Sequence, residues 1–151
     1  HKGMYEKAAK VKTELLELLI RYPYSKVVVE ENLQAFRPGL SSAKTLMTLA
    51  QFNGVVRWIC HSDLNTEVDS MNVNTARKIV GLKIDRKSKT KTKDQVWNWV
   101  KQVNDNDNFT IQWPYKTLKS GPNKGQVRLC TEAYDIADAY VIGKSYFLLK
   151  N

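Results

Sequence analysis

Apolar positions recur along this chain with two different periods. Between residues 4 and 20, "MYEKAAKVKTELLELLI" sets Ala8, Val11, Leu15, Leu18 and Leu19 three or four apart, the spacing of one helix face. The Tyr-Pro pair at 22 and 23 ends that helix, because the residue before a proline is pushed out of helical geometry. In "SKVVVEENLQAF" three consecutive β-branched valines then read as a short buried strand over 26–30, running into two adjacent glutamates. After a turn at Pro38 and Gly39, "AKTLMTLAQFNGVVRWIC" predicts a helix that carries Leu46, Leu49, Ala50, Val56 and Cys60 towards the core. Gly54 inside it costs helix stability, which predicts a close approach there. "VNTARKIVG" and "DQVWNWVKQV" predict two shorter helices, "NDNDN" at 104–108 a loop, "FTIQW" a strand over 109–113, and "LKSGPNKGQVRL" a turn. "TEAYDIADAYVIGKSYFLL" predicts a long final helix with Thr131 as its cap. The alternation of helix and strand predicts an α/β chain.

Two acidic features interrupt this pattern. Glu30 and Glu31 stand where a buried strand leaves the core, and they are either a solvated strand end or a carboxylate held there to bind something. Asp135 and Asp138 lie three apart on the final helix, so their β-carbons are roughly 5–6 Å apart and their charges repel. Aspartate is also a poor interior helix residue, and Ala133, Ile136, Ala137, Ala139, Tyr140, Val141 and Ile142 make the surroundings apolar. The pair is therefore expected to hold a cation rather than to face open water.

Charge narrows the partner. Twenty-four Lys and Arg against fifteen Asp and Glu give +9, and such an excess favours polyanions through counterion release, nucleic acid first. The excess is local: "GLKIDRKSKTKTKDQV" carries Lys83, Arg86, Lys87, Lys89, Lys91 and Lys93 among small hydroxyl residues suited to phosphate oxygens. The plainer reading is a solvated or mobile loop. At 151 residues one domain is expected, and the longest apolar runs are too short to span a bilayer. A cytoplasmic location and free thiols at Cys60 and Cys130 follow. Trp97, Trp99 and Trp113 are expected in the core or a dimer interface, and His61 on the surface. Carboxylate oxygens suit Mg²⁺ or Mn²⁺, and beside a basic surface they point to metal-dependent phosphodiester hydrolysis.

In this order and spacing, "VVVEENLQAF" with "SSAKTLMTLAQFNGVV", the "K-x-Q-V" after the basic run, and "DIADAYVIG" resemble the RuvC-type Holliday junction resolvases, particularly their phage-encoded branch. The likeness spans residues 5 to 148. It implies a ribonuclease H-like α/β fold, a mixed sheet flanked by helices, as a single nuclease domain over 1–151. It further implies a homodimer whose two sites cut opposed strands of a four-way junction, and a site of four carboxylates holding Mg²⁺ or Mn²⁺. By position Glu30 matches the strand glutamate, and Asp135 and Asp138 match the helix pair, as catalytic metal ligands. Lys93 matches the basic residue of "K-x-Q-V", and Arg77 or Lys78 another before the glycine. Glu31 alternates to the opposite side of the strand and stays outside the site.

Phe36 and Arg37 follow the strand and are candidates to reach a base step at the crossover, against the alternative that Phe36 packs under its loop. The family's opening strand bears an aspartate in a D-x-G context and is followed by two more strands. No aspartate precedes Asp63 here, so that carboxylate has no counterpart and an upstream segment carrying the first strands is expected. Two other readings stand beside the nuclease. A non-catalytic branched-DNA-binding module would have an incomplete metal site, and a basic RNA-binding or assembly protein would leave the acids without a role. A phage origin would place the chain in a bacterial cytoplasm.

Overall fold

A computed structural model describes residues 3–23, 26–31, 43–105, 107 and 110–150, and these form a mixed α/β chain in which helix predominates. The chain divides into two compact units, between Asn72 and Val73.

The first unit opens with α1 (Met4–Arg21). Glu6 in its first turn accepts from the Gly3 amide at 3.2 Å, and Arg21 closes its last turn, both favourable to the helix dipole. Tyr22 leaves the helix extended, at φ −133° and ψ 91°, as a residue before proline must. Strand β1 (Lys26–Glu30) coincides with the expected strand and pairs in parallel with β2 (Glu67–Met71), Val27 opposite Val68 and Glu30 opposite Met71. Between them α2 (Ala43–Trp58) runs on into a single π-helical turn (Ile59–Asp63), closed by the Leu64 amide donating to the Ile59 carbonyl at 3.1 Å. Asn65, at φ 48°, then reverses the chain into β2, a left-handed position that asparagine tolerates. Lys12 of α1 meets Asp63 of that turn at 2.7 Å.

The two faces of the β1–β2 pair differ in chemistry. Val27 and Val68 face the helices and pack on a core of Ala8, Ile59, Cys60 and Leu64, with Leu15, Phe52, Val55 and Val56 beside it. Ser70, on the same face, accepts from Arg57, which also donates to Asn53 at 2.6 Å. The opposite face carries Lys26, Glu67 and Asp69, with Lys26 bridging to Glu67 at 2.6 Å. Leu49 and Ala50, expected in the core, are exposed: the stripe of α2 that meets the sheet lies nearer its C-terminus, where Phe52, Val55 and Val56 lead into Ile59 and Cys60. Among the described residues nothing lies within 4 Å of a β-carbon built on Gly54, so the expected close approach is not seen there.

In the second unit α5 (Glu132–Lys150) packs against α3 (Val73–Ile79) and α4 (Thr92–Asn104). Ala133, Ala137, Val141, Ile142 and Ser145 form its buried stripe, Val96, Val100 and Asn104 that of α4, and Ala76 that of α3. Each fully buried valine here is worth about 1.5–3 kcal/mol, and the alanines keep the helix axes close. The described part of 109–113 is not a strand. Asn104 accepts from the Ile111 amide at 2.9 Å, and Trp113 meets Trp97 edge to face at 6.0 Å, so the segment is tied to α4 instead. The strands come later, as an antiparallel pair of β3 (Tyr115–Thr117) and β4 (Val127–Leu129). Among the described residues no helix is long and apolar enough to cross a membrane.

Candidate functional site

The second unit holds both the aspartate pair and the basic run. On α5 the buried stripe turns Ala133 and Ala137 inward, which leaves Asp135 exposed and Asp138 at the edge of the interface with α3. There Arg77 of α3 donates to Asp138 Oδ1 at 2.7 Å, with 14% of the arginine side chain and 24% of the aspartate exposed. A charge-assisted bond in such a setting is among the stronger polar contacts a protein makes. Asp138 Oδ2 has no protein partner among the described residues, and Arg77 Nε is buried without one. Arg77, expected at the DNA surface, is thus committed to one of the two helix carboxylates, while its neighbour Lys78 is exposed.

The basic run is a built loop. The Gln95 side chain, from the first turn of α4, reaches back over it: the amide donates to the carbonyls of Asp85 at 2.9 Å and Thr90 at 2.8 Å, and the side-chain oxygen accepts from the Asp85 amide at 2.9 Å. Asp85 in turn accepts from the Lys87 amide at 2.8 Å, and Ser88 from the Thr90 amide at 3.0 Å. Buried Leu82 and Val96 anchor the two ends. Held this way, Lys83, Arg86, Lys87, Lys89, Lys91 and Lys93 are all exposed. The loop therefore presents cations at fixed places without burying them.

Loop and helix meet at Tyr134. Its hydroxyl donates to Asp94 at 2.5 Å, and Lys93 lies 5.8 Å from its ring centre. The bond to the Asp94 carboxylate, with burial second, holds the Tyr134 phenol above its ordinary range, so it stays protonated as a donor. Tyr134 directly precedes Asp135, so Lys93, in the first turn of α4, lies beside the first turn of the acidic helix. Farther along α5, Tyr140 donates to Asp107, and Lys144 reaches Asp107 at 3.1 Å and the Tyr140 oxygen at 3.0 Å. This triad ties the segment after α4 to α5. It lowers the Asp107 carboxyl, chiefly through Tyr140, and raises the Lys144 ammonium, again chiefly through Tyr140.

Glu30 is in the first unit, exposed at the carboxyl end of β1, with its carbonyl accepting from Asn53 at 3.4 Å. Carboxyl ends of parallel strands are where open α/β sheets place ligand groups. Phe36 and Arg37 lie outside the described residues. No group of three or more His, Cys, Asp or Glu side chains able to hold a metal occurs among the described residues. The donor chemistry of the α5 pair fits a hard divalent cation in part: Asp135 and Asp138 Oδ2 are carboxylate oxygens, and Mg²⁺ takes one or two of these with waters and substrate phosphates.

Sequence reasoning named "K-x-Q-V" without assigning its glutamine. The amide follows the last cation of the run by two residues, from where it reaches back to the loop carbonyls. Compared with family models, curated proteins and solved structures, the chain matches none of them significantly.

Proposed function

We propose that this chain is a metal-dependent, structure-specific endonuclease that cleaves branched DNA, four-way junctions foremost, by phosphodiester hydrolysis. The proposal includes a ribonuclease H-like fold and a homodimer. One observation carries it: an ordered cationic loop runs into α4, whose Lys93 and Asp94 meet Tyr134 on the helix that bears the two carboxylates. The parallel β1–α2–β2 crossover supports the fold.

In this reading Asp135 and Asp138 hold Mg²⁺ or Mn²⁺, and the resemblance assigns Glu30 to the same chemistry. A metal held there would supply an activated water and charge stabilisation at the scissile phosphate. Arg77 is a positioning residue that fixes the Asp138 rotamer and offsets its charge. The loop lysines neutralise the flanking phosphates, so binding weakens steeply with salt.

The second reading is a branched-DNA-binding module that does not cut. The ion pair to Arg77 favours it, because Asp138 is compensated there by a protein cation. A labelled four-way junction and a matched linear duplex, incubated with Mg²⁺, Mn²⁺ or EDTA, decide between them. Paired metal-dependent nicks in the junction alone are expected, lost in Asp138→Asn with DNA binding retained or improved. Tight junction binding with no cut in any metal selects the module, and unchanged cleavage by Asp138→Asn overturns the site.

A further inference from the structure

We infer that the β3–β4 hairpin is a second polyanion-binding element, which grips the phosphate backbone of DNA independently of the carboxylate turn. Residues 115 to 129, "YKTLKSGPNKGQVRL", contain Lys116, Lys119, Lys124 and Arg128 and no acid, and all four cations are exposed. None of the four is within ion-pair distance of a carboxylate among the described residues, where the ion pairs involve Lys12, Lys26, Arg77 and Lys144. Glu132 senses Lys116 only as the weakest influence on its carboxyl, behind its own backbone hydrogen bond and Thr131.

The pairing register makes the point sharper. Lys116 stands directly opposite Arg128 across the two strands, so the two cations share one face at close range. Opposed like charges destabilise a strand pair, and an isolated two-stranded ribbon is marginal to begin with. Both strands of the ribbon are edges, and a charge on each also guards against strand addition. An anionic group astride the two turns the repulsion into attraction.

The ribbon is also shaped to be rigid while exposed. Leu118 donates to the Gln126 carbonyl and the Gly125 amide to the Leu118 carbonyl, both at 2.9 Å, extending the ladder towards the tip. A turn closes from the Gly121 carbonyl to the Lys124 amide at 3.1 Å. Gly121 at φ 81° and Gly125 at φ 87° take up the left-handed positions which that reversal needs. At its base the Cys130 amide donates to the Pro114 carbonyl at 2.9 Å. A two-stranded ribbon of these dimensions fits the major groove of B-form DNA, where its cations meet phosphates on the groove walls.

The inference rests on the reading that the chain binds DNA, but not on its cutting it. The test is fluorescence anisotropy of the whole chain with a labelled four-way junction, at salt from about 50 to 200 mM. Lys116→Gln/Arg128→Gln is compared with the wild type and with a charge-matched control, Lys7→Gln/Lys10→Gln, on exposed positions of α1. Each lost phosphate contact lowers the log–log salt slope by about 0.9, so the hairpin variant should lose about 1.8, which makes its affinity deficit roughly ten-fold larger at the low-salt end than at the high-salt end. Its melting temperature should be unchanged or higher, since the opposed charges are gone. Wild-type binding with an unaltered slope in the hairpin variant overturns the inference alone, as does an equal loss in the α1 control. A wild type that binds no DNA overturns the DNA-binding reading with it.

Discussion

Replacing Gln95 by alanine removes the three hydrogen bonds by which its side chain holds the basic loop, two donated to the carbonyls of Asp85 and Thr90 and one accepted from the Asp85 amide. A net intramolecular hydrogen bond contributes about 0.5–1.5 kcal/mol, and these three are solvent-accessible, so the low end applies. The sum is about 1.5 kcal/mol. For a chain of this size that lowers the melting temperature by roughly 3–6 °C. The more direct readout is limited trypsin cleavage after Arg86, Lys87, Lys89 and Lys91. Where opening is fast relative to cleavage, the rate follows the open population, and about 1.4 kcal/mol is a factor of ten. Gln95→Ala should therefore be cut in this loop roughly ten-fold faster than the wild type, with other sites little changed. Gln95→Glu sharpens the test, because a carboxylate of the same shape has no hydrogen to give the two carbonyls. It should fail to restore protection despite favourable charge. Equal loop cleavage in wild type and Gln95→Ala would refute the clamp, and full protection in Gln95→Glu would refute its donor logic.

The two helix aspartates should separate by stability while agreeing in activity. Asp138→Ala strands the half-buried Arg77 guanidinium and should cost about 2 kcal/mol in denaturant unfolding, whereas exposed Asp135→Ala should fall within about 0.5 kcal/mol of the wild type; both should abolish junction cleavage. Asp107 provides a pH dependence. Its carboxyl is depressed by Tyr140 and then Lys144, so its contribution is fully present above its unfolded value of about 3.9 and is lost as pH falls through the lower folded value. Thermal midpoints of the wild type should fall between about pH 5 and 2, and those of Asp107→Asn should start lower and fall less. Parallel curves for the two proteins would remove Asp107 from the account.

Much of the fold was legible because it depends on local periodicity. The helix α1, its stop at Tyr22 and Pro23, the three valines of β1 and the long α5 all stand where their spacing and punctuation put them, although Leu18, on the expected stripe of α1, is exposed. Strand β2 was not legible: "EVDSM" has two apolar residues, Val68 and Met71, whose spacing does not alternate, and it is a strand because β1 offers a parallel edge and Val68 completes the face begun by Val27. The described part of 109–113 departs in the opposite direction. Ile111 and Trp113 lost their local β preference to contacts from Asn104 and Trp97.

For the candidate site the division is similar. Sequence alone determined the residue types: two carboxylates one helical turn apart, a glutamate at the end of a strand, and a run of cations with few acids, because side-chain chemistry and i to i+3 geometry are local. Tertiary structure decided their environments. That Arg77 takes Asp138, that Gln95 pins the loop, and that Lys116 opposes Arg128 all depend on which segments distant in the chain come into register, and no periodicity within one segment encodes a partner in another.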